Sequence, residues 1–324
     1  MDVVDYFLGI RFDWDFSDKS NIKCKMIQEA YIETMCAKMG MANASRNLKM
    51  TPYRSGLPID TLPLGDLPDA EQKELTAKYR SYVGMLTWLA TSTRPDICVA
   101  VSLLSSYQQR PSQQHVESAK YVARYLLSTQ EKGINFVHAN CTKTLEGFVH
   151  FPIDPDDPVA FADSNWGPQD ASFPSETNNG PVTIAATRSI CGFMIFLGGA
   201  PVQWKCFKEE RISRSSCEAE IKATDECTKA VQAFRNLLQD LGFDTSAPTL
   251  IYNDNRGAID WAHTMSNKRM RHYNIRENCV REAIHIFFDI RLLHVSGKLN
   301  PSDLLTKEHK SDVIFIDLSD IVVY

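Results

Sequence analysis

The chain has 324 residues, 44% hydrophobic and 23% charged, the composition of a soluble globular protein long enough for two domains that each bury a core. No apolar run is long enough to cross a bilayer and "MDVVDYFLGIRFDWD" is not a signal peptide, so an intracellular protein, cytoplasmic or nuclear and without a membrane partner, is expected. A formal net charge of -5 excludes a protein that coats nucleic acid indiscriminately, but local basic strips that grip a phosphate backbone remain open.

Residues 50–72, "MTPYRSGLPIDTLPLGDLPDAEQ", are rich in Pro, Gly and Asp and lack a helical period, which predicts a long loop. From 79 to 133 apolar residues recur at helical spacing, punctuated by Pro95 and Pro111 and closed by Gly133, so this half reads as mainly helical. The pattern changes near residue 146, where "LEGFVHF", "VAFAD", "ICGFMIFLGG" and "PVQWKCF" follow one another as strands, and a domain boundary is expected there. Residues 168–187 interrupt the first hairpin and predict a mobile surface loop. A long helix from Ser213 to about Leu241, a strand "TLIYND", a helix from Asn255, another through "RENCVREAIHIFF", a strand "IRLLHVS" and a final helix from Asn300 then alternate in the α/β manner. Nine cysteines, an odd number with no CxxC pair, predict reduced thiols in the core and no zinc site.

Four acids stand at telling positions. Asp163 and Asp254 each end an expected strand, Glu220 lies in the first turns of the long helix, and Asp303 opens the last. Each has an ordinary explanation alone: a strand-ending Asp forms turns, and Asp254 or Asp303 can cap or charge a helix N-terminus. Glu218 and Glu220 sit two residues apart, about 200° around a helix, so only one can face the sheet. Stepping back by threes and fours from Phe234 through Val231, Cys227 and Thr224 leads to Glu220, whereas Glu218 aligns with Asp225, Lys229 and Gln232. Glu220 is therefore expected inside and Glu218 in solvent. Four acids brought together would suit metal-assisted phosphodiester hydrolysis, because hard cations take oxygen ligands and offset the cost of burying the charges.

With these residues laid out, the chain resembles the C-terminal part of a Ty1/copia-type retrotransposon polyprotein. The motifs that carry the resemblance are "YFLGI", "YRSYVGMLTWLATSTRPDICVAVSLLS", "HVESAKYVARYL", "FADSNWG", "RSICGFMIFLGGAPVQWKCFKEERISRSSCEAEIKA", "YNDNRGAI" and "NPSDLLTK", in that order. The resemblance implies a reverse transcriptase thumb and connection region over 1–145, a ribonuclease H domain over 146–310 with a mixed five-stranded sheet, and a tail, 311–324, without a counterpart. It implies Asp163, Glu220, Asp254 and Asp303 as catalytic and metal-binding residues, two Mg²⁺ ions or Mn²⁺ in their place, and the RNA strand of an RNA–DNA hybrid as substrate. Asn255, Lys268, Arg269 and Arg271 are the expected nucleic-acid contacts, the basic three through phosphates.

The resemblance also has gaps. Asn274 stands where the family commonly has an acid, the 168–187 loop is enlarged, and His294 matches no catalytic histidine by its offset from Asp303. A polymerase palm is expected upstream of Tyr6, since "YNDN" lacks the second Asp of a Tyr-x-Asp-Asp hairpin. The first half alone is therefore not expected to polymerise DNA, and the palm of a fuller element protein is a candidate partner. Two functions follow: an active ribonuclease H, favoured because no acid is missing, or a degenerate element fragment that keeps the fold and binds nucleic acid without turnover.

Overall fold

The computed structural model describes residues 3–19, 22–41, 49–54, 59, 62–137, 157–167, 172–177, 180–185, 188–264, 278–309 and 312–323. The chain is mixed α/β and divides into two compact units, Met1–Phe136 with Gln169–Ala186 and Lys307–Tyr324, and Val137–Pro168 with Thr187–Thr306. The expected boundary near 146 and the expected strand "LEGFVHF" lie outside the described residues.

The first unit carries a sheet that its helical periodicity did not announce. Strands β1 (Tyr6–Phe7), β2 (Ile10–Asp15), β3 (Lys23–Ile27) and β4 (Ile134–Val137) neighbour one another in that order. Gly133 leads into β4, and a Cβ there would lie 2.1 Å from the Met26 carbonyl, so glycine is required for the close approach to β3. Helices α1 (Glu29–Lys38), α2 (Asp69–Ser92), α3 (Cys98–Ser105) and α4 (Gln113–Ser128) supply most of this unit's core. Helix α2 begins inside the stretch read as a loop, directly after Pro68 at its N-cap, with Asp69 and Glu71 in the first turn complementing the helix dipole. Fully buried Arg94 pairs with Asp96 at 2.7 Å, Asp96 accepts from the Tyr125 hydroxyl at 2.6 Å, and Arg94 donates to the Thr129 carbonyl at 2.9 Å, so this buried charge is matched on every side.

Within residues 168–187, strands β5 (Ser172–Thr177) and β6 (Gly180–Ala185) pair as an antiparallel ribbon in place of the expected loop.

The second unit is built on a mixed five-stranded sheet. In chain order its strands are β7 (Val159–Asn165), β8 (Ile190–Leu197), β9 (Ala200–Lys208), β10 (Thr249–Asn253) and β11 (Ile290–His294), and in space they run β11-β10-β7-β8-β9. The first three pair antiparallel, while β10 pairs parallel with both β7 and β11. Helices α5 (Ser216–Asp240), α6 (Arg256–His263) and α7 (Asn278–His285) bury Ile221, Cys227, Val231, Trp261, Val280 and Ala283 in one cluster with Ala160, Ala162 and Phe193 of the sheet. The small Ala160 and Ala162 side chains let α5 approach β7 closely. Phe161, on the opposite face of β7, packs on Phe196 and stacks on Tyr252. The helix expected from Asn300 is a short 3-10 segment, Pro301–Leu305, entered through the Asn300 side chain, which accepts from the Ser302 amide.

The C-terminal tail is a helix, α8 (Asp312–Val322), assigned to the first unit, where Phe315 packs edge-on against Tyr53 and Tyr125. Cys24, Cys36, Cys98, Cys191 and Cys227 are buried thiols outside any disulfide. Among the described residues no helix is long and apolar enough to cross a membrane.

Candidate functional site

Strand register brings the first two acids together. Tyr252 lies opposite Phe161 in the parallel pair β10–β7, and Asp254 and Asp163 each stand two residues further along, so they leave the same end of adjacent strands. Glu220 comes from the second turn of α5, whose start is fixed by Ser215: its hydroxyl accepts from the Glu218 amide at 3.2 Å. Carboxylate oxygens of Asp163, Glu220 and Asp254 lie within 4.8 Å of one another, with Asp163 and Glu220 buried and Asp254 half-buried. Asp303 is not in this group. It is buried on the 3-10 segment, and its carbonyl accepts from the Thr306 amide at 3.2 Å, while the Thr306 hydroxyl donates to Asp163 Oδ2.

Each carboxylate is oriented by neighbours. Glu220 Oε1 accepts from the Ser164 amide at 3.2 Å and Oε2 from Asn253 Nδ2 at 2.9 Å. Asn253 is itself fixed, because its Oδ1 accepts from the Asn255 amide at 2.7 Å. Asp254 Oδ2 faces Gly297 so closely that a Cβ there would lie 2.7 Å away. Burial, then the charges of Asp163 and Asp254, push the Glu220 carboxyl from 4.5 up to about 8 against the two hydrogen bonds that lower it. A divalent cation would reverse that repulsion, and three carboxylates are the donor set a hard cation prefers.

Glu218 turns away from the group. It is half-buried instead of solvent-facing, accepts from the Arg214 amide at 2.8 Å and pairs with Lys222 at 3.2 Å. Asn255 is the N-cap of α6, with its Oδ1 accepting from the Ala258 amide at 3.0 Å, so Asp254 is spared that role. Lys268, Arg269 and Arg271 lie outside the described residues, as does Asn274. Sequence reasoning missed Asn253, Asn300 and Thr306 as supports. The first stands inside "YNDN" and the others bracket "NPSDLLT", but nothing in the local pattern says which strand their side chains reach.

Fold and centre together define a mixed α/β protein with an acidic cluster at one end of its central sheet. Comparison with known proteins gives the class a family. The chain is 29% identical over 303 residues to the retrovirus-related Pol polyprotein from transposon RE1 of Arabidopsis thaliana, a match covering 93% of this chain and 18% of that protein. It is 30% identical over 264 residues to the Pol polyprotein from transposon RE2 of the same plant, covering 81% of this chain and 16% of the relative. The Pol polyprotein from transposon TNT 1-94 of Nicotiana tabacum is 25% identical over 291 residues, covering 90% of this chain and 19% of the relative. No family model matches the chain. The chain is a relative of Ty1/copia-type retrotransposon Pol polyproteins, as its motifs suggest, and spans less than a fifth of the length of these three.

Proposed function

We propose that the chain is a metal-dependent endonuclease of the ribonuclease H type, hydrolysing the RNA strand of an RNA–DNA hybrid. The observation that carries this reading is the convergence of the Asp163, Glu220 and Asp254 carboxylates within 4.8 Å at the ends of β7, α5 and β10. The strand order, an antiparallel trio continued by two parallel strands, is compatible with a ribonuclease H-like fold. Descent from a Pol polyprotein supports nucleic-acid chemistry as the class of function.

Bound Mg²⁺, or Mn²⁺ in its place, would supply an activated water and charge stabilisation for the leaving 3′ oxygen. The chain's part is to hold and orient the ligands. Thr306 fixes one Asp163 oxygen, Asn253 and the Ser164 amide fix both Glu220 oxygens, and Asp254 stands against Gly297. Asp303 is proposed as the fourth acid, on the 3-10 segment that Thr306 follows as C-cap. Asn255 and the basic Lys268, Arg269 and Arg271 are proposed to contact the hybrid, the basic three neutralising its phosphates.

The test is cleavage of a labelled RNA–DNA hybrid by the purified chain with Mg²⁺, with Mn²⁺ and with chelator. Metal-dependent cutting of the RNA strand, lost in Asp163→Asn, is expected. A folded wild-type chain that cuts no hybrid with either metal would overturn the reading in favour of a fragment without turnover.

A further inference from the structure

Just past the end of the strand that carries Asp163 stands an aromatic ring with no part in holding a metal. Trp166 follows β7 three residues after Asp163, and its side chain is 49% exposed, the most of the five tryptophans. It is nevertheless anchored: its indole N–H donates to the Ser213 carbonyl at 2.9 Å. Ser213 is itself pinned, since its hydroxyl lies 2.7 Å from buried Glu209 and accepts from Lys222 at 2.8 Å, and Lys222 in turn pairs with Glu209 and Glu218. An ion pair between buried Glu209 and half-buried Lys222 thus holds the residue that seats the half-exposed indole. The polar edge of the ring is satisfied within the protein, and the remaining ring surface is offered to a ligand.

The chemistry around the ring selects the ligand. Arg211 and Arg214, both exposed, lie two residues before and one residue after Ser213, whose carbonyl seats the indole. A sugar face is the same whatever the base, which suits a site without sequence readout, and basic residues nearby in the chain match a phosphate backbone. We propose that Trp166 is a positioning residue for nucleic acid: a sugar of the hybrid backbone packs on its ring while the adjacent phosphate enters the acidic centre. The inference rests on the ribonuclease H reading above.

The experiment compares wild type, Trp166→Ala, Trp166→Phe and Trp166→Leu in the full chain, by steady-state cleavage of a labelled hybrid and by hybrid binding in chelator. Trp166→Ala is expected to raise KM and weaken binding about tenfold, with kcat changed less than about twofold, the size of one lost aromatic contact. Trp166→Phe should recover most of the affinity and Trp166→Leu should not, because leucine fills space without a π face. Should Trp166→Ala fail to fold, the contrast between Phe and Leu decides. Unchanged KM and binding in the Ala variant, or equal behaviour of Phe and Leu, would overturn the inference while wild-type cleavage keeps the ribonuclease H reading intact. If the folded wild type cuts nothing, that reading falls, and the binding measurements still decide the role of Trp166.

Discussion

Thr306 donates its hydroxyl proton to the Asp163 carboxylate across 143 residues of sequence, tying the strand that carries the first acid to the segment that carries Asp303. A hydrogen bond to a charged group contributes about 1.5–3 kcal/mol, and valine keeps the shape of threonine without the hydroxyl. Thr306→Val should therefore lower unfolding free energy by about that amount, measured by urea denaturation. Unchanged stability would mean that the hydroxyl holds nothing.

Glu220 supplies a pH-dependent prediction. Its carboxyl is raised by burial and by Asp163 and Asp254, from 4.5 to about 8. A folded value above the unfolded one gives stability that is present below pH 4.5 and lost as pH rises through 8. Asp163→Asn removes one of the repelling charges while its amide oxygen can still accept from Thr306. In chelator the mutant should lose less thermal stability than wild type between pH 5.5 and 8.5, and stabilisation by Mg²⁺ at pH 8 should be confined to wild type. Identical pH profiles for the two proteins would remove Asp163 as a source of the Glu220 shift.

Gly192 on β8 tests the geometry from the other side. A Cβ there would lie 2.5 Å from Leu305 Cβ and 3.1 Å from Thr306 Cγ2. Overpacking of this kind costs about 1–3 kcal/mol, and the 3-10 segment must shift to relieve it. Gly192→Ala is expected to destabilise the chain, and its effect should be less than additive with Thr306→Val, because both disturb the same contact. Full additivity in a double-mutant cycle would uncouple the two positions.

Legibility of this molecule follows how local each determinant is. The inward direction of Glu220 is a helical-period property, visible because Thr224, Cys227 and Val231 on the same stripe are all buried. Whether Asp254 or Asn255 caps α6 is not local: both residues are good caps, and the choice falls to Asn255 only because the β10–β7 register carries Asp254 to the level of Asp163. Asp303 sits on a five-residue 3-10 segment with no periodicity from which a facing direction can be read. Strand β1 is two exposed residues long and β2 is mostly exposed beyond Ile10, so neither shows the apolar alternation that marks a half-buried strand. Helix α8 did carry its signal, since Phe315, Leu318 and Val322 recur at helical spacing and are buried, but the tail has no counterpart among the motifs that guided the rest.

The last prediction concerns His115 in the first unit. Its ring is fully buried, 4.2 Å from the Tyr107 ring, and Nδ1 accepts from the Ser112 amide at 3.1 Å as part of the α4 capping box. Burial lowers its pKa from 6.5 to about 4. The folded state therefore keeps the imidazole neutral while the unfolded chain takes up a proton below pH 6.5. The associated stability is complete above 6.5 and is lost as pH falls toward 4, by about 3 kcal/mol at most. Protonation would also place a hydrogen on Nδ1, where the Ser112 amide already donates, so the cap of α4 should fail with it. Urea denaturation of wild type and His115→Gln between pH 4.5 and 7 separates this group from the carboxylates, which titrate in both proteins. Wild type should lose stability more steeply than the variant across that interval. Parallel slopes would show that the ring gains its proton as easily in the folded chain as in the unfolded one.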